Sequence, residues 1–201
     1  LVEVTDANAI DLGTVDVGDE IIVKSSGTIT DSGNLSVAGA ATLVSGGNAI
    51  TLGDGTTANF GSIDFAGSTV AITEASDMSI AESEATEALS LTASGAISQT
   101  GRIDADNTSL FDNTGGTDAA ITLDNANNDF TGAVSVTASD TGSDVSLKDV
   151  NAIDLGAVSV GDALTVSSTG AITDSANITV GGLATVGSGG NAITLGDGTT
   201  A

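Results

Sequence analysis

Apolar residues along this chain come in pairs two positions apart, with small or polar residues between them. Val2 and Val4, Ile10 and Leu12, Val15 and Val17, Ile21 and Val23, Leu35 and Val37, and Ile50 and Leu52 open the series. Ile63 and Phe65, Val70 and Ile72, Leu89 and Leu91, Ile121 and Leu123, Val134 and Val136, and Val145 and Leu147 continue it. A period of two marks an extended strand with one buried face, because successive side chains point to opposite sides. Between the pairs stand Gly18-Asp19, Ser25-Ser26-Gly27, Ser45-Gly46-Gly47-Asn48, Gly53-Asp54-Gly55 and Asp140-Thr141-Gly142, residues that suit tight corners. The pattern predicts an all-β chain of short strands, as in a sandwich, a barrel or a β-helix.

Residues 74–88 are rich in Ala and Glu, which are good helix formers. Met78 and Ile80 nevertheless keep the period of two, and the segment aligns with residues 149–163, which read as two short strands around a Gly-Asp turn. Strands are therefore predicted here too.

Residues 6–58 return at 149–201, displaced by 143 positions and mostly unchanged. A weaker copy lies inside the large one: Val70, Ile72, Met78, Ile80, Leu89, Leu91, Gly95 and Ile97 match Val145, Leu147, Ile153, Leu155, Leu164, Val166, Gly170 and Ile172 at an offset of 75. Farther along, the offset between residues 120–123 and 192–195 is 72, as expected where corners gain and lose residues around a fixed core. The expected organisation is one continuous segment, 1–201, holding a tandem repeat over 6–148 that begins again at 149–201. Each copy is made of two diverged halves, and the parent array is expected to be longer.

Tandem repetition selects the β-helix among the all-β options, because each unit of a solenoid buries its apolar edge against its neighbours. The steps Ile10, Ile29, Ile50 and Ile72 suggest roughly 20 residues per coil, hence about ten coils and a rod about 50 Å long. Ile10, Ile29, Ile50, Leu89, Ile97, Ile121, Ile153, Ile172 and Ile193 are the expected core, and Asn8, Asn48, Asn151 and Asn191 are expected at one recurring corner.

Composition narrows the functions. A net charge of −24 with 27 glycines invites disorder, but 40% hydrophobic residues in strict alternation oppose it. Four Phe with no Trp or Tyr imply a narrow core repeated many times rather than one broad core. Three cationic residues argue against nucleic acid and anionic membrane surfaces as partners. No apolar run approaches the ~20 residues of a membrane helix, so no membrane insertion is expected. The absence of Cys removes disulfides and thiolate metal sites.

Residues 128–136, followed by 145–147 and 152–156, resemble the repeat region of filamentous haemagglutinin-like exoproteins, as do residues 170–175 leading to 178–182. These are large bacterial surface and secreted proteins, often exported by two-partner secretion. The resemblance implies a right-handed parallel β-helix acting as an extracellular shaft in adhesion or biofilm structure. It implies as partners the chain itself, through stacking of coils, and a surface or glycan receptor.

Two other chemistries bear on these residues. β-Helices also carry polysaccharide-active enzymes, and Glu82 with Glu84 or Asp104 with Asp106 could in form serve as acid and base. With no His, Cys or Tyr, and only Lys24, Arg102 and Lys148 as bases, no catalytic residues are expected. Asp54, Asp124, Asp129 and Asp197 stand in acidic turns offering the hard oxygen ligands that Ca2+ prefers. None fits the calcium-binding nonapeptide or the EF-hand spacing, so these turns are read first as solvated, with calcium as the candidate cofactor.

Overall fold

The computed structural model describes residues 1–113 and 115–196, and over them the chain is all-β, with short parallel strands and no helix. Hydrogen bonds join the strands into a 14-stranded and an 11-stranded sheet. Residue-by-residue pairing resolves these into three parallel ladders, one on each face of a solenoid of about ten turns with roughly 20 residues per turn.

The first ladder runs from Val2–Asp6 to Ile21–Ser25, to residues 41–44 and to 63–66. It continues through Ser83–Ala85, Ile103–Ala105 and Asp129–Phe130, where this pairing ends; residues 153–155, whose Asp154 and Leu155 pair with Ala133 and Val134, then take up the face with Ile172–Asp174 and Ile193–Thr194. The second joins Ile10–Leu12, Ile29–Asp31, Ile50–Leu52, Val70–Glu74, Leu89–Ala93 and Ser109–Asp112, followed by residues 134–138, 158–160 and Ile178–Val180. The third begins with Val15–Val17, residues 35–37 and 58–60. The face is taken up again by Met78–Ile80, whose Ile80 pairs with Ile63, and proceeds along Ile97–Gln99, Ile121–Leu123, Val145–Asp149, Leu164–Ser168 and Ala184–Gly187. Only two sheets are formed because the long strands Leu35–Val44, Ala58–Gly67 and Ile153–Val160 each turn a corner and belong to two faces.

Inward positions are filled mostly by Ile, Val, Leu, Ala and a few Phe, most of them stacked on apolar residues of the next coil. Ile10, Ile29, Ile50, Leu89, Ile97, Ile121, Ile153 and Ile172 are all buried, as the alternation predicted. Ile193 is not: it is 45% exposed, because it lies in the last described coil with no further coil stacked upon it. The expected step from Ile50 to Ile72 is also corrected, since Ile50 stacks on Val70 and Ile72 lies beneath Leu52. The widest part of the core is marked by Phe111 and Phe130, whose rings meet edge to face at 5.8 Å. Residues 74–88 carry the strands Met78–Ile80 and Ser83–Ala85, as the period of two required.

Coil length varies only at corners. The step from Val145 to Leu164 is 19 residues, whereas that from Ile121 to Val145 is 24, with the surplus in the corners at 124–128 and 139–144. Gly53 shows why one corner needs glycine. Its φ is +76°, and a Cβ there would lie 2.0 Å from the Thr73 carbonyl oxygen.

The sequence copies and the coils do not share a period. Val2–Asp6 lies on the first face, Val70–Glu74 on the second and Val145–Asp149 on the third, although all three are the same strand of successive copies. Ten strand segments separate each from the next, and ten segments on three faces make three and one-third coils. Each unit is therefore turned by about a third of a revolution and advanced by about 16 Å relative to the one before, taking ~4.8 Å per coil.

Replacing Ile97 by Ala should cost about 2–5 kcal/mol, the usual range for a buried aliphatic side chain. The same change at Ile193 should stay within about 0.5 kcal/mol. Denaturant titration of the two variants checks this contrast, and equal losses would contradict the core assignment.

Candidate functional site

Beyond the core, the side chains with the most specific roles are polar groups at corners and between units. The sequence-predicted asparagines form two devices rather than one. Asn48 Nδ2 donates to the Ser26 and Ser45 carbonyls at 3.1 and 2.9 Å, and Asn191 repeats this on Thr169 and Ser188 at 2.7 and 3.0 Å. Asn8 and Asn151 instead donate backbone N–H groups to Asp6 and Asp149 at 2.7 and 2.6 Å. In the middle unit a third device appears. Asn128, fully buried, exchanges amide hydrogen bonds with Gln99 at 2.8 Å and accepts the Ile103 N–H at 2.9 Å, closing the 124–128 corner.

The four calcium candidates do not converge. Asp54 is exposed in the corner after Ile50–Leu52, on the second face. Asp124 is exposed in the equivalent corner after Ile121–Leu123, on the third face, so the turn between units separates the two. Asp129 is half-buried on the first face and accepts Asn151 Nδ2 at 2.9 Å. Asp197 lies outside the described residues. Among the described residues no group of three or more His, Cys, Asp or Glu side chains is placed to hold a metal ion, and no pocket opens on the surface.

The carboxylates considered as acid and base belong to a charged row on the first face. Glu84 lies opposite Asp104, and Asp104 opposite Asp129, so like charges stack in successive coils. Arg102 relieves this row by pairing with Asp104 at 2.9 Å and Glu82 at 3.5 Å. Asp64, half-buried nearby, has its carboxyl pushed above the usual range by burial and by the charge of Glu82. Lys24 pairs with Glu3 at 3.1 Å, so two of the three bases are held in surface ion pairs.

Two acids missed by sequence reasoning hold the seams between units. Glu74, 1% exposed, accepts the Phe60 N–H on Oε1 at 2.8 Å, and Asp149, fully buried, accepts the Phe130 N–H on Oδ2 at 2.8 Å. Beside each, the next residue closes the seam: Ala75 N–H donates to the Ala58 carbonyl at 2.9 Å and Val150 N–H to that of Asn128 at 2.8 Å. Both seams therefore have the same two-bond clasp, an acid receiving a phenylalanine N–H and a backbone bond one step along. The signal was present in the alternation itself: Glu74 continues the inward series Val70, Ile72, and Asp149 the series Val145, Leu147. An acid in an inward phase has to find a buried donor.

Burial raises the Glu74 carboxyl to about 7, with the Phe60 N–H and Ser76 hydroxyl pulling the other way and Asp77 adding to the rise. Its Oε2 has no hydrogen-bond partner among the described residues, which fits a group that is costly to ionise. Asp149 is raised for the same reason, opposed by the Phe130 and Asn151 N–H groups and aided by Asp129.

A carboxyl whose folded pKa lies above its unfolded value is protonated preferentially in the folded state. Stability from Glu74 is thus fully present below its ordinary value of 4.5 and is lost as pH rises through about 7. The full loss is on the order of 3 kcal/mol. Thermal melts from pH 4 to 8 should show stability falling with pH, and Glu74→Gln, which keeps the acceptor for Phe60, should flatten that fall. An unchanged pH profile in the variant would show that Glu74 is not ionising in a buried site.

No curated protein and no solved structure matches the chain. A family model does, in three successive stretches, residues 1–64, 67–137 and 142–201. These three stretches begin at, or a few residues before, Val2–Asp6, Val70–Glu74 and Val145–Asp149, the strands that open the three structural units. Ten strand segments thus form the structural unit of one family repeat, and this chain belongs to the family described as repeats of unknown function (DUF5649).

Proposed function

We propose that the chain is a section of the structural shaft of a repetitive bacterial exoprotein of the filamentous haemagglutinin-like kind. It serves outside the cell in surface attachment or in matrix and biofilm scaffolding. Its role is mechanical: a stiff spacer whose partners are further coils of the same fold, with any receptor-binding tip elsewhere. The observation that carries this reading is the parallel pairing that crosses both seams, from Ile50–Leu52 to Val70–Glu74 at the first and from Ile121–Leu123 to Val145–Asp149 at the second, which joins successive units as one rod rather than a string of beads.

Immunogold labelling of intact source cells, with microscopy of the released material, tests the reading. Labelled fibres projecting from the surface with a ~4.8 Å axial spacing are expected. Label confined to the cell interior, or compact particles without an axial repeat, would overturn it.

The row of stacked acids and the net charge of −24 set how such shafts meet one another. Side-by-side packing is opposed at low ionic strength and relieved as the screening length falls to about 3 Å near 1 M salt. Light scattering should therefore rise across a salt or calcium titration. A flat trace would remove lateral bundling from the account.

A further inference from the structure

The three faces differ in what they turn outward. On the second, the central outward row stacks Thr30, Thr51, Ala71, Ser90, Leu110 and Ser135 in successive coils, with Asp11 at its start. The residue just before each of these strands is uncharged, from Thr28 through Ala49, Thr69 and Ala88 to Thr108. The flanking row on the other side, from Thr73 to Thr179, adds one acid, Asp112. Near the middle, Leu110 points outward and is only partly covered. The first face instead turns out Glu3, Asp64, Glu84, Asp104 and Asp129. The third carries a row of hydroxyls from Ser79 to Thr185, but it is a narrow strip. Asp77 and Asp144 stand on one side of it, accepting the Ala96 and Ala163 N–H groups at 2.8 and 3.1 Å, and Lys148 stands on the other.

We infer that the second face is the surface on which two of these chains pair side by side, each laying it against the same face of a second copy. A two-fold contact sets every group near its own counterpart, so a face of stacked acids repels its copy and a nearly uncharged face does not. A chain of net charge −24 that meets itself along its flank does so where carboxylates are fewest and the uncharged surface is broadest. The size fits as well. The nine strands from Ile10–Leu12 to Ile178–Val180 cover about 40 Å along the rod and about 17 Å across it, or about 700 Å² per partner, near the ~800 Å² of a standard interface. Leu110 gives that contact an apolar centre. The pairing rests on the shaft reading for its purpose, the bundling of rods, but not for its geometry.

Sedimentation of the chain across a salt series tests the pairing. Single chains are expected near 0.01 M salt, where the screening length is about 30 Å, and dimers near 1 M, where it is about 3 Å. Leu110→Glu and Ser90→Glu each set a carboxylate against its own copy and should weaken pairing at least roughly tenfold. Thr122→Glu, on the third face, should leave it unchanged. Because the chain has no Cys, single cysteines then report which face is in contact. Ser90→Cys, on the fifth of the nine strands, should be joined to its counterpart by a short bis-maleimide whichever way the two rods run. Ser98→Cys on the third face and Glu84→Cys on the first should not be joined. Single chains at every salt concentration, dimers indifferent to both Leu110→Glu and Ser90→Glu, or joining through Ser98 or Glu84 would overturn the pairing. So would oligomers that no cysteine joins, since those are end-to-end stacks. Fibres absent from the cell surface would sink the shaft reading and leave this result standing.

Discussion

In-register parallel pairing is the constraint on which the rest of the molecule depends. A coil only three short strands around has no interior of its own; its inward side chains are buried because similar ones lie directly above and below. Ile29 is fully buried between Ile10 and Ile50, whereas Ile193, with a neighbour on one side only, is nearly half exposed. Stability is thus a property of stacking. The small side chains that weaken an ordinary core are suited to a narrow one.

The same pairing stacks whatever lies outside. It places Glu84, Asp104 and Asp129 in a row, and Arg102 relieves that row by pairing with Asp104 and Glu82. It also makes polar inward positions conspicuous, since each must find a donor in the adjoining coil. Glu74 and Asp149 do so at the seams, and Asn128 with Gln99 does so inside the middle unit. Because a unit spans three and one-third coils, successive seams face different sides, and a long array would show each surface feature on all three faces in turn.

Much of this was legible in the sequence because alternation and repetition survive without knowledge of contacts. Val2/Val4, Met78/Ile80 and Val145/Leu147 announce strands by themselves, and the Met78 pair outweighs the helical leaning of its Ala and Glu neighbours. What was hidden depends on counting strands around the axis. The 143-residue displacement gives no hint that Val2–Asp6 and Val145–Asp149 lie on different faces, because that follows from the number of corners turned between them. For the same reason Asp54 and Asp124, which lie in equivalent corners of successive copies, stand on separate sides. The seam acids are hidden among 27 acidic residues, from which only their place in the inward phase of the alternation sets Glu74 and Asp149 apart.

The most direct test of the whole account uses the absence of native Cys. Pairs of cysteines are introduced at outward positions, and a short bis-thiol reagent reports which pairs are neighbours. Efficient bridging is expected along the third face, at Ser79 with Ser98 and Thr122 with Ser146, where residues are in register. None is expected between Ala71 and Ser146, which are equivalent in sequence but three and one-third coils apart. Bridging of Ala71 with Ser146, or failure along the third face, would contradict the three-faced solenoid.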